Sequence, residues 1–201
     1  MSVRGVVFDV GNVIVRWSPR TLYSKIFDDP AELDWFLANV CTMAWHAAHD
    51  AGVPFAENRA PLVAEFPQYE AAIVAWESRW WEMFSGPIAE TEAAIAAMAR
   101  RGVPMVGLTN MASSTKAGTF AMSPAFAQLA DIVVSGDVGL AKPDPRLFAL
   151  AAEKAGLAPA ELLFVDDSHT NIEAAAALSF DVHRFDEPAA LGPALARRGL
   201  L

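Results

Sequence analysis

The chain is poor in cysteine: among its 201 residues only Cys41 carries a thiol. No internal disulfide can form, so nothing points to an oxidising compartment, and Cys41 reads as a small core residue rather than a nucleophile. Basic residues are also in short supply. Fifteen Lys and Arg against 24 Asp and Glu give a net charge of −9 and an isoelectric point near 4.8. That balance excludes the basic footprint of a nucleic-acid partner. A small anionic ligand stays open, because a few local cations or a metal can overrule the global field. No window approaches the roughly 18 uncharged apolar residues of a membrane span. The N-terminal "MSVRGVVFDV" has one arginine and an apolar run broken at Asp9, without the apolar core and cleavage site of a secretory signal. The expectation is a soluble, cytoplasmic protein that engages neither membrane nor nucleic acid. Nothing decides between a monomer and a homodimer.

Apolar residues, by contrast, are abundant. At 54% of the chain they suffice for one substantial core, or a core with a small appended domain. Short aliphatic runs recur: "GVVFDV", "VPMVGLTN" at 103–110, "DIVVSG" at 131–136, "LLFVDD" at 162–167 and "FDVHRF" at 180–185. Their continuous apolar character predicts strands buried on both faces, as in a parallel sheet. Helical spacing, acids in the first turn and closing glycines predict helices over 89–102 and 144–157, and Ser168 is a candidate N-cap for a third over 168–180. Strand and helix in alternation imply an α/β fold with a doubly wound parallel sheet and right-handed crossovers. Residues 17–87 break this rhythm. "PAELDWFLANVCTMAWHAAHDAG" and "PQYEAAIVAWESRWWEMFSG" read as amphipathic helices with no strand between them, their tryptophans forming core stripes. The expected organisation is a core of 1–16 and 88–201, with a helical insertion over 17–87 after the first strand.

In an open α/β sheet, ligands bind beyond the carboxyl ends of the strands. The first strand ends in Asp9, the second in Thr109-Asn110 and the fourth in Asp166-Asp167, while Lys142 follows the third in "GDVGLAKPDP". Each feature alone has an ordinary explanation as a helix cap, a β-former or a solvated lysine. Four in this order are hard to assign to chance. The set resembles the haloacid dehalogenase-like (HAD) hydrolases: "VVFDVGNVIV" is similar to their first motif, in a branch that reads D-x-G-N, "VGLTN" to the second, the lysine of "GLAKPDP" to the third and "LLFVDDSHTN" to the fourth. The resemblance covers the whole chain, the insertion falling where the family carries its small cap domain.

The resemblance implies an enzyme, and in most members a phosphatase for a small phosphorylated metabolite. Asp9 would be the nucleophile that accepts the phosphoryl group. Mg²⁺ would be held by Asp9, the Gly11 carbonyl and Asp167, with Asp166 and Asn171 behind them. Thr109 and the amide after it would hold phosphoryl oxygens, and Lys142 would neutralise charge between Asp9 and phosphate. Gly11, Asn12 and Asn110 would complete the phosphate cradle. One departure stands out. Family phosphatases usually carry a second aspartate two positions after the nucleophile, as general acid and base, and here that position is Gly11. Hydrolysis without that acid should favour weakly basic leaving groups, such as a sugar 1-phosphate or an aryl phosphate. His46 or His49 of "AWHAAHD" could stand in for it. The alternatives are a metal-independent 2-haloacid dehalogenase, which the Asp166-Asp167 pair argues against, and a non-catalytic phosphometabolite-binding protein.

Overall fold

The computed structural model describes residues 2–201. Five strands, β1 (Gly5–Phe8), β4 (Met105–Thr109), β5 (Asp131–Val134), β6 (Leu162–Asp166) and β7 (Asp181–Arg184), form one sheet in the order β5-β4-β1-β6-β7. All its pairings are parallel. Every residue of β1, β4 and β6 is buried, which is why their sequences are apolar without alternation. The chain runs outward from β1 to β4 and β5, then returns to the other side of β1 for β6 and β7. This reversal opens a crevice at the carboxyl ends of β1, β4 and β6.

Helices cover both faces: α6 (Ala89–Arg100) and α11 (Pro188–Ala196) on one, α9 (Pro145–Ala155) and α10 (His169–Ala177) on the other. Asp144 caps α9 through Arg146 N–H at 2.9 Å and Gly156 ends it at φ 65°. Ser168 holds the N-cap position of α10 without a side-chain bond; its own N–H donates to Asp166 Oδ1 at 2.8 Å. The expected strand over 131–136 stops at Val134, because Ser135 turns into the short helix α8 (Ser135–Val138) and its hydroxyl receives Met111 N–H at 2.8 Å.

Between Trp17 and Phe84 the chain forms a helical layer: α1 (Pro19–Tyr23), α2 (Pro30–Asn39), α3 (Met43–Asp50), α4 (Phe55–Glu65) and α5 (Glu70–Ser78). The first long helical stretch of the sequence is thus two helices, broken at Val40–Thr42, with Thr42 Oγ1 capping Trp45 N–H at 3.0 Å. Helix α4 contains Pro61, which masks it in the sequence. This layer has its own core, including Tyr23, Phe36, Ile73 and Trp76. Cys41 is buried in it, its thiol pushed by burial up to about 12. Trp35 and Trp81 depart from the expected apolar stripes, each being 44% exposed. Trp81 nonetheless lies flat against Gly118 of α7 (Lys116–Phe120), where any Cβ would collide with the indole.

The layer joins the sheet domain through a two-stranded antiparallel ribbon, β2 (Val15–Trp17) with β3 (Phe84–Pro87). This ribbon was not legible as strand. No described helix is long and apolar enough to cross a membrane.

Candidate active site

Asp9 continues the β1 ladder by one residue, donating its N–H to Val165 O at 2.8 Å. Its carboxylate is thereby held at the crevice floor, where Oδ1 accepts Val10 N–H at 2.7 Å and lies 2.8 Å from Lys142 Nζ. Lys142 also reaches Asp166 Oδ2 at 2.7 Å. Asp166 is fully buried and further held by both Asn171 Nδ2 contacts at 3.1 Å. Asp167 lies beside them, and one carboxylate oxygen from each of Asp9, Asp166 and Asp167 falls within 4.8 Å of the others.

The floor therefore brings three carboxylates against one ammonium. Burial pushes the Asp9 carboxyl up; Lys142 pulls it back, and Asp166 and Asp167 push it up again. Asp167 shifts up for the same reason, burial first and then Asp166, with Lys142 and Asn12 opposing. For Lys142 burial works to remove the proton, but the facing Asp9 and Asp166 outweigh it and hold the ammonium charged. A surplus of buried negative charge lined with hard oxygen donors fits a hard divalent cation. Asp9 and Asp167 are the carboxylates suited to hold it, because Asp166 is already engaged by Lys142, Asn171 and Ser168.

Two asparagines hold the main chain around the floor. Asn12, in the left-handed region at φ 57°, gives its N–H to Val15 O at 2.7 Å and accepts Trp17 N–H on Oδ1 at 3.0 Å, while its side chain also bonds Asp167. It fastens the turn to the ribbon and to Asp167 while lining the cavity. Asn110 clasps the main chain of Lys142, donating to Lys142 O at 3.0 Å and accepting Lys142 N–H at 2.7 Å. Its carboxamide thereby positions the lysine at the cavity wall. Thr109 is buried at the cavity wall with only a long 3.5 Å contact from Oγ1 to Asn110 O. Gly11 lines the same cavity, and a Cβ there would meet nothing within 4 Å.

The cavity above the floor has a volume of about 290 Å³ and is roofed by the helical layer through Trp17, Met43, His46, Asp50, Trp80 and Phe84. A larger groove of about 450 Å³ runs on the far side of Asn12 and Trp17, but it reaches only Asp167 of the acidic floor. Of the two α3 histidines allowed by the sequence, His46 lines the cavity and His49 does not. His49 Nδ1 lies 3.3 Å from Val53 O and its Nε2 3.2 Å from Asn58 Nδ2. Asp50 was missed by sequence reasoning. The available signal was its place at the last position of α3, where the helix dipole disfavours an anion.

A profile of haloacid dehalogenase-like hydrolases matches residues 3–179. The chain belongs to this family. Among curated relatives, the phosphoglycolate phosphatase of Pectobacterium atrosepticum is 27% identical over 187 residues, covering 88% of this chain and 77% of that protein. The phosphoserine phosphatase of Thermus thermophilus is 35% identical over 79 residues, 39% of this chain and 32% of that protein. Acyl-CoA dehydrogenase family member 10 of Mus musculus is 32% identical over 96 residues, 47% of this chain but 9% of that far longer protein. The chain thus spans less than a third of the length of two of these relatives. A HAD family enzyme of Bacteroides thetaiotaomicron, solved with magnesium and inorganic phosphate, shares the fold at TM-score 0.66 and 17% identity, covering 94% of this chain and 98% of that one.

Proposed function

We propose that this HAD-like hydrolase is a Mg²⁺-dependent phosphatase for a small phosphorylated metabolite, with a sugar phosphate as the favoured substrate. The observation that carries the reading is the floor itself: Asp9 and Asp166 joined through Lys142 at 2.8 and 2.7 Å, with Asp167 beside them. Asp9 attacks phosphorus and accepts the phosphoryl group, and water then releases it as inorganic phosphate. Lys142 offsets the charge of nucleophile and phosphate as they approach, and the Thr109 hydroxyl bonds a phosphoryl oxygen. Bound Mg²⁺, held by Asp9, Asp167 and the Gly11 carbonyl, would supply electrostatic stabilisation of the phosphoryl oxygens. In this reading residues 17–87 are a cap over a core of 1–16 and 88–201, and the ribbon is its hinge.

The roof supports the sugar. Trp17 and Trp80 are cavity walls whose indole Nε1 atoms are buried without a protein hydrogen-bond partner. Flat apolar faces and unpaired donors suit a ring with hydroxyl groups. Relatives named as phosphoglycolate and phosphoserine phosphatases support phosphate monoester chemistry. The test is a screen of sugar, nucleotide and aryl phosphates with Mg²⁺ and with EDTA, beside Asp9→Asn. Phosphate release that needs both Mg²⁺ and Asp9 is expected. Chloride release from 2-haloacids unaffected by EDTA would overturn the reading.

A further inference from the structure

With Gly11 in place of the usual acid, the floor has nothing to protonate a leaving oxygen. Lys142 is committed to two carboxylates, and Asp166 is saturated by Lys142, Asn171 and Ser168 N–H. The roof of the same cavity is different. Asp50 is buried there, and its Oδ1 has no hydrogen-bond partner; His46 Nε2 lies 3.5 Å from it. His46 Nδ1 is likewise unpaired. Burial first, and then His49, drive His46 down to about 3, so the imidazole is neutral and gives the carboxylate no ion pair.

The main chain of Asp50, in contrast, is firmly held. Ser135 Oγ donates to Asp50 O at 2.6 Å while accepting Met111 N–H at 2.8 Å, directly after Thr109-Asn110. One buried hydroxyl thus ties the end of α3 to the phosphate side of the sheet. A carboxyl carried by the cap is thereby fixed against the core.

We propose that Asp50 is the catalytic acid and base of this enzyme, doing from the cap what an aspartate at position 11 does elsewhere in the family. In the first step an Asp9 oxygen bonds to phosphorus, the bond from phosphorus to the leaving oxygen breaks, and the Asp50 carboxyl gives that oxygen its proton, releasing an alcohol. In the second, the Asp50 carboxylate takes a proton from water as the water oxygen bonds to phosphorus. The bond to Asp9 breaks, leaving inorganic phosphate, a free Asp9 carboxylate and a reprotonated Asp50. The groups facing Asp50 are His46 on its own helix, Lys142 from the core, and Asp9 and Asp167 across the cavity. Burial pushes Asp50 up to about 7 against the pull of Lys142, so both of its protonation states are accessible near neutrality.

The proposal rests on the phosphatase reading, and the experiment separates the two. Asp50→Asn is compared with wild type on p-nitrophenyl phosphate, whose leaving group needs no proton, and on a sugar 6-phosphate, whose primary alkoxide does. On the aryl ester the variant should still phosphorylate Asp9, giving a burst of nitrophenolate equal to the enzyme and an intact mass carrying one phosphoryl group. Steady-state turnover should fall by about 10²–10⁴-fold. On the sugar ester the fall should be at least as large, with no burst. Adding Gly11→Asp to Asp50→Asn should restore turnover, because the space above position 11 is open. Unchanged steady-state rates in Asp50→Asn would overturn the proposal. So would loss of the burst, which would make Asp50 a shaping residue, and so would failure of Gly11→Asp to rescue. A wild-type protein that hydrolyses no phosphate ester would instead overturn the phosphatase reading.

Discussion

The floor and the roof of the cavity solve opposite problems. On the floor every charged group named above has a partner: Lys142 between Asp9 and Asp166, Asn171 and Ser168 on Asp166, Asn12 on Asp167. On the roof, Trp17 Nε1, Trp80 Nε1, His46 Nδ1 and Asp50 Oδ1 are buried and unpaired. Buried polar atoms without partners are costly and rare in folded proteins. Their concentration over one cavity indicates that the floor side chains are paired with one another before ligand arrives and the roof side chains are not. A saturated floor suits the phosphoryl group, which is common to all substrates of this chemistry. An unsaturated roof suits the part of the substrate that differs.

Perturbing each region should expose this contrast. The largest effect is expected on the floor, where Asp9→Asn removes the nucleophile. Turnover should drop on the order of 10⁶-fold, as loss of other covalent nucleophiles does, with the melting temperature preserved; residual activity near wild type would refute the assignment. Next is Lys142→Ala, which leaves Asp9 and Asp166 facing each other without their cation. Removing one partner from a buried ionic group costs about 3–5 kcal/mol, readable as a fall in urea midpoint along with loss of activity.

On the roof the sign should reverse. Burial raises the Asp50 carboxyl from 3.8 to about 7, so folding opposes its ionisation. The protein is then most stable, with respect to this group, below pH 3.8, and that stability is lost as pH rises through about 7. Asp50→Asn should therefore melt like wild type at low pH and above it at pH 8, even as turnover collapses; a variant less stable at pH 8 would contradict the picture. Smallest is Trp80→Phe, which keeps an aromatic wall but removes the indole donor. KM for a sugar phosphate should rise by up to about tenfold, the worth of one hydrogen bond, while KM for p-nitrophenyl phosphate stays put.

Much of the floor was legible in the sequence because it obeys local rules. Strands buried on both faces are written as unbroken aliphatic runs, and the acids that end them stand at the crevice. The doubly wound sheet follows from their order, and the crevice from its reversal. The bonds from the Asn12 and Asn110 carboxamides to main-chain atoms of Trp17 and Lys142 were not legible, because a bond to backbone leaves no pattern in side-chain identity. The ribbon was hidden because its strands, Val15–Trp17 and Phe84–Pro87, are short and 66 positions apart from the end of one to the start of the other counting residues 18–83. Asp50 was missed for a similar reason. It comes to line one cavity with Lys142 and Asp9 only after α3 folds over the sheet, and in the sequence the neighbouring His46 and His49 stand out instead.

The Ser135 hydroxyl, shared between Met111 and Asp50, gives the enzyme an internal gauge. If Asp9 is the nucleophile and Asp50 the proton carrier, as proposed, the two belong to separate stretches of chain, and competence requires this contact to be made. Observed turnover is then the intrinsic rate multiplied by the fraction of molecules that make it. Every 1.4 kcal/mol removed from the contact would lower the rate tenfold once the open form predominates, without altering a single atom that touches phosphate. Substitutions scattered along α3 and the ribbon would thus all register as changes in kcat, and their relative sizes would measure how tightly the cap is latched.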